Sequence, residues 1–329
     1  MDPIFSFENT EQIFSGSITP NLEQWAAGTI DGNILLFSKL TENPTTFRFA
    51  TGSVRSIEFD YSGENFISGD KSGNIFVTNL KTFDNSITIK HGHHESIECI
   101  RYLTPSVVVI GDTGGNIKIW DLRTQKATQT YRPDPDYISD IVTINDTTFV
   151  TTCGIGSCSV FNSQMNKRKQ YYVQEDDDFS TVTYSKYLNY VIIGSSRPKI
   201  YVTKFPSLDF VCESPGNSKS PISVMRSIDS AQNRVVMAQD DGTICIAEIA
   251  PNRSVVAVRA HNSDIIGGTL QGNTFMTWAS DKTFKIWDLT ELAKTPLVKP
   301  SKKKGKKGKK SKTMGVKVTE HKDDFFSDY

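Results

Sequence analysis

The stretch Val109–Leu122, VIGDTGGNIKIWDL, decides the fold. An apolar run enters Gly and Asp, a glycine-rich turn follows, and alternation resumes with Ile117 and Ile119 against Lys118 and Trp120. This is the pattern of two short strands joined by a tight turn. Similar text returns as AAGTIDGNILLFSKL from Ala26, ISGDKSGNIFVTNL from Ile67, VTTCGIGSCSVFNS from Val150, VIIGSSRPKIYVTKF from Val191, VMAQDDGTICIAEI from Val236 and TWASDKTFKIWDL from Thr277. The turn position falls at Gly32, Gly73, Gly115, Gly156, Pro198, Gly242 and Thr283, at intervals of 41, 42, 41, 42, 44 and 41 residues. Further strand-like runs, such as VRSIEFDY from Val54, SIECIRYL from Ser96 and FSTVTYSK from Phe179, fill the gaps. Four strands per unit of about 40–45 residues, repeated around a ring, is the signature of a β-propeller.

The repeat resembles the WD40 family. KIWDL stands at Lys118–Leu122 and again at Lys285–Leu289. The last repeat places His261, Thr277, Asp281 and Trp287 at the spacings of that family's hydrogen-bond network. The resemblance implies that the turn Asp bonds the His, the His the hydroxyl, and the hydroxyl the indole. The other repeats keep parts of it, such as Trp120, and should lean more on apolar packing. The expected fold is therefore all-β, a seven-bladed WD40 propeller over residues 1–292, then a disordered lysine-rich tail (293–321) and an acidic-aromatic terminal motif (322–329). The last copy stops at Leu289 without an outer strand, so the N-terminal IFSF (Ile4–Phe7) is expected to supply it and close the ring. Closure removes the long exposed edges of an open sheet.

The five cysteines are odd in number and scattered, which speaks against a disulfide framework or a zinc site. No apolar run approaches the ~20 residues of a membrane helix, and MDPIFSFENTEQ lacks the marks of a secretory signal. No membrane association is expected. An enzyme needs a constellation of convergent groups, and the sequence offers none. HGHH (His91–His94) reads as the Gly-His element that opens a blade, EDDD (Glu175–Asp178) as a solvated loop, and GKKGKKSK lacks phosphate-loop spacing. No catalytic residue, metal or cofactor is assigned.

Charge is the remaining signal. The chain carries 37 basic and 37 acidic side chains, yet Lys299 to the end holds eleven lysines against four acids. The body is correspondingly acidic. Loops on one propeller face carry Asp134, Asp136, Asp176, Asp177 and Asp178, which are expected to hold a basic peptide, such as an extension of a ribosomal protein. Lys302, Lys303, Lys304, Lys306, Lys307, Lys309, Lys310 and Lys312 lie among Gly and Ser without aromatics. Such a run suits non-specific phosphate contact or a nuclear or nucleolar address. In the terminal KDDFFSDY, Phe325 and Phe326 read as docking anchors.

EIAPNRSVVAVRAHN (Glu248–Asn262), together with the order of degenerate blades, lysine-rich tail and terminal DDFF, resembles the family of WD repeat-containing protein 55. That resemblance implies a nucleolar, non-catalytic scaffold in ribosomal RNA maturation and large-subunit assembly. It would act as a monomer within a larger complex, with ribosome-assembly proteins as partners. A rival from another class is a substrate receptor of a ubiquitin ligase or a chromatin adaptor. WDLR (Trp120–Arg123) fits the adaptor-binding element of such receptors through Arg123.

Overall fold

The computed structural model describes residues 2–41, 43–132, 136–164, 167–172, 176–215, 220–231, 233–249 and 252–294. Seven four-stranded antiparallel sheets make up the fold, each a blade of consecutive strands except the last. The chain is a seven-bladed β-propeller. The innermost strands are Ile13–Ile18, Val54–Phe59, Ile97–Thr104, Ile138–Asn145, Phe179–Ser185, Ile222–Ser227 and Ile265–Gln271, here the inner strands of blades 1 to 7.

Blade 7 is closed by the N-terminus. Phe5–Glu8 pairs antiparallel with Thr283–Asp288, Phe5 opposite Ile286 and Phe7 opposite Phe284. Phe5 and Phe7 drive the closure. Their rings lie 5.7 and 5.0 Å from Phe37 of blade 1, and Phe37 in turn lies 4.8 Å from Phe284 of blade 7. Each aromatic pair adds about 0.5–1.5 kcal/mol beyond the area it buries.

The core lies between blades, where apolar residues of neighbouring middle strands interdigitate. Glycine is required where the second and third strands meet. Gly32, Gly73, Gly115, Gly156 and Gly242 all have φ between 72° and 89°. In the last repeat the left-handed position is Lys282 (φ 63°), one residue before the Thr283 expected from the period. The turn there is offset by one residue, and Thr283 is released for another task.

Candidate functional site: the upper face and its channel

The loops between blades and the turns between second and third strands share one face, here called upper. Every inner strand enters the sheet from it with a β-bulge at its second residue. A bulge re-aims a side chain. The seven bulged residues are Phe14, Arg55, Glu98, Ser139, Ser180, Ser223 and Ile266, and they all line the same central pocket of about 240 Å³. Phe14 and Ile266 make one apolar side. Arg55 stands 4.7 Å over the Phe14 ring and donates to Glu98 at 2.7 Å, and the serines complete the circle.

In blades 1 to 5 the residue after the bulge turns the other way and stitches its blade to the next. Ser15 donates to the Val54 carbonyl at 2.9 Å, Ser56 accepts from the Ile100 N–H at 3.1 Å, and Thr181 accepts from the Met225 N–H at 3.1 Å. Asp140 is the charged member of this series. It accepts from the Val182 N–H at 3.2 Å and from Thr181 at 2.9 Å, and it receives Arg101 at 3.1 Å and Arg226 at 2.7 Å. Burial works to raise the Asp140 pKa, but Arg226, Arg101 and the Val182 N–H outweigh it and hold the carboxyl below its usual range. Glu58, 3.6 Å from Arg101, is shifted the other way, because burial exceeds what Arg101 and Arg226 restore. This girdle was not foreseen from sequence. The signal for it was the recurring apolar–any–small start of each inner strand, as in Ile13-Phe14-Ser15 and Val54-Arg55-Ser56.

The network of blade 7 is assembled with one change. Trp287 Nε1 donates to Thr277 Oγ1 at 3.1 Å, and His261 Nε2 lies 2.8 Å from that oxygen. Asp281 does not bond His261 directly, since their closest approach is 3.6 Å. Thr283 stands between them, 3.0 Å from His261 Nδ1 and donating to Asp281 at 2.6 Å. The bonds then run one way, from the Trp287 indole through Thr277, His261 and Thr283 to the Asp281 carboxylate, if His261 is neutral with its proton on Nδ1. Burial keeps it neutral, pushing its pKa down to about 4 against the pull of Asp281.

Trp120 is not part of such a chain. Ile110 lies opposite Lys118 as Thr277 lies opposite Lys285. Both lysines donate to the carbonyl before the blade's histidine, Lys118 to Gly92 at 2.6 Å and Lys285 to Ala260 at 2.8 Å. Ile110 thus replaces the bridging hydroxyl, and Trp120 Nε1 and His93 Nε2 are left buried without partners. His93 Nδ1 still meets Asp112 at 2.8 Å. Asp112 does this from two residues earlier than Asp281, while capping its turn through the N–H groups of Gly114 and Asn116 at 3.0 and 2.8 Å. Asp70 caps the equivalent turn of blade 2 through Ser72 and Asn74, each at 2.9 Å. The recurring D-x-x-G-N at 70–74 and 112–116 was the readable trace of this device.

On the upper rim, Asp136, Asp176 and Asp178 reach solvent, but Asp177 does not. It is 2% exposed, accepting from Tyr201 Oη at 2.6 Å and from the Arg197 N–H. Asp177 is therefore an interior anchor of its loop and not a spare surface charge. Asp134, the eight tail lysines and Phe325 and Phe326 lie outside the described residues. Arg123 is on the opposite face, 72% exposed and forked onto Asp121 at 2.7 and 3.0 Å.

Seven blades of four strands, a closing strand from the other terminus and a His–Thr–Trp network define the chain as a WD40-repeat propeller. No family model matches it. Its resemblance is to WD repeat-containing protein 55. The Arabidopsis thaliana protein of that name is 24% identical over 280 residues, 83% of this chain and 79% of that protein. The Rattus norvegicus protein is 25% identical over 282 residues, 83% of this chain and 73% of its own length. The Drosophila melanogaster homolog is 22% identical over 317 residues, 94% of this chain but 63% of that longer protein.

Proposed function

We propose that this propeller is a non-catalytic scaffold of ribosome assembly, serving ribosomal RNA processing and large-subunit maturation in the nucleolus. The observation that carries the reading is the similarity to WD repeat-containing protein 55 across most of the chain. The division of charge supports it. The lysine run from Lys302 to Lys312 is suited to neutralising phosphates without sequence reading. The upper rim, with Asp136 leading into blade 4 and Asp176 and Asp178 leading into blade 5, suits a basic extension of an assembly partner. The test is sedimentation of the endogenous protein from nuclear extract, with and without RNase. Co-migration with large particles that collapses on RNase treatment is expected. A small complex indifferent to RNase would defeat the proposal.

A second reading, a ubiquitin-ligase or chromatin adaptor, rests on the exposure of Arg123 after the third strand of blade 3. Loss of a co-purifying ligase adaptor on Arg123→Ala would favour it, and an unchanged partner set would remove it.

A further inference from the structure

The upper rim is not uniform. On blade 4, Tyr137 and Ile155 are exposed at 37% and 36%, apolar side chains on a rim of carboxylates. Gly154 lies between them and bonds the Tyr137 carbonyl through its N–H at 3.1 Å. The Tyr137 ring covers this glycine so closely that a Cβ there would strike ring carbon Cε1 and lie 2.7 Å from Asp136 Oδ2. The absence of a side chain at Gly154 thus lets an aromatic ring and a carboxylate oxygen sit over the same backbone atom. Asp136 is held in place because its other oxygen accepts from the Tyr137 N–H at 2.8 Å. The phenol is raised above its usual range first by partial burial, then by Asp178, Asp136 and, more remotely, Glu98. Every one of these charged neighbours is acidic. Asp178 is exposed, and no ion pair occupies Asp136 or Asp178 among the described residues.

We infer that Tyr137, Ile155, Asp136 and Asp178 form a receptor for an arginine side chain of a basic peptide. This rests on the reading of the upper face as a partner-binding surface and names what that surface recognises. A guanidinium is planar, stacks on an aromatic face and presents a fork of donors to carboxylates. The ring, with the Asp136 carboxylate over the same glycine, Ile155 next in the chain after that glycine, and Asp178 at the matching entry to blade 5, is complementary to it in charge and in its flat apolar face. The remainder of the acidic rim supplies long-range attraction for flanking basic residues.

The test uses the full-length protein and a fluorescein-labelled peptide, Gly-Ser-Arg-Leu-Arg-Ser-Gly, followed by anisotropy at low salt. Its counterpart carries citrulline, an uncharged isostere, in place of both arginines. The citrulline peptide is expected to bind at least tenfold more weakly. Tyr137→Ala and the double variant Asp136→Asn/Asp178→Asn should each weaken the arginine peptide about five- to tenfold, while Tyr137→Phe stays within twofold. Tyr137→Phe also controls for folding, because it keeps the ring over Gly154. If the arginine peptide binds but these variants leave affinity unchanged, the receptor is refuted, and the broader upper-face reading survives only if Asp240→Asn/Asp241→Asn, in the upper turn between the second and third strands of blade 6, weakens binding. If neither peptide binds, both are overturned.

Discussion

At the scale of single residues, the contrast between blades 7 and 3 shows what a hydroxyl does in this fold. Thr277 accepts from an indole and serves a histidine, whereas Ile110 at the matching place leaves both partners of blade 3 unsatisfied. An orphaned buried donor or acceptor costs about 1–3 kcal/mol. Thr and Val have nearly the same shape, so Ile110→Thr should be more stable than Ile110→Val by about 1–3 kcal/mol in urea denaturation. The ordinary preference of a core is for Val, and finding that order would show that Trp120 and His93 are satisfied in another way. His261 makes a second prediction. Its folded pKa, about 4, lies below the 6.5 of an unperturbed histidine. The unfolded chain therefore binds more protons between these values, and stability must fall as pH drops from 6.5 toward 4. The loss approaches roughly 3 kcal/mol for this one residue. His261→Gln should start less stable and flatten that part of the pH profile, which urea melts at several pH values would read. The His261, Thr277 and Trp287 bonds of the blade 7 network were legible through the WD40 resemblance, but the direct Asp281–His261 bond it implied is not made. The part played by Thr283 was not legible, because a one-residue offset of the turn cannot be seen in a period that already varies.

At the scale of elements, the repeat made the strands readable, and the missing outer strand of the last repeat made the N-terminal closure readable too. Phe5–Glu8 is only four residues long, so its backbone pairing alone is a weak fastening. Its strength lies in Phe5 and Phe7, which join the Trp25, Phe37 and Phe284 cluster. Deleting residues 1–9 should lower the melting temperature sharply. The double variant Phe5→Ala/Phe7→Ala should reproduce most of that effect, at about 2 kcal/mol or more per ring. Full stability in the double variant would mean that pairing, not aromatic packing, holds the strand. The inner-strand bulges were harder to foresee. Alternation places a residue on one face or the other, and a bulge moves every later residue across. Asp177 departs from the expected surface charge for a related reason. Within an acidic run, nothing in the letters separates the one carboxylate that turns inward to Tyr201 from neighbours that stay in water.

At the scale of the whole molecule, the seven seams between blades are not equivalent. Inner-strand side chains hydrogen-bond the next blade from blade 1 through to blade 6, by way of Ser15, Ser56, Cys99, Asp140 and Thr181. At the matching places of blades 6 and 7 stand Val224 and Gly267, and no such bond follows them among the described residues. The seam between blades 7 and 1 is filled by Trp278, and Gln12, just ahead of the inner strand of blade 1, donates across it to the Ala279 carbonyl at 2.9 Å. The Trp278 ring approaches so closely that a Cβ on Gly267 would lie 2.6 Å from it and one on Gly16 3.0 Å. This seam also joins strands from the two ends of the chain, so its contacts close the longest loop. The last two seams thus lack the inner hydrogen bond that the first five share. The ring should therefore open first at blade 7. Native-state hydrogen exchange is expected to show the lowest opening free energy in Phe5–Glu8, Ile265–Gln271 and Thr274–Ala279, with Ile138–Asn145 and Phe179–Ser185 exchanging only through global unfolding. Removing the Asp140 carboxylate tests the cause. Asp140→Ala would leave Arg226 without its carboxylate and Arg101 with Glu58 alone, and would remove the acceptor of the Val182 N–H, at a cost of about 1–3 kcal/mol. It should also bring the opening of blades 4 and 5 down to that of blade 7. Uniform protection around the wild-type ring, or an Asp140→Ala variant whose blades 4 and 5 stay the last to exchange, would show that the inner stitches do not set the order of opening.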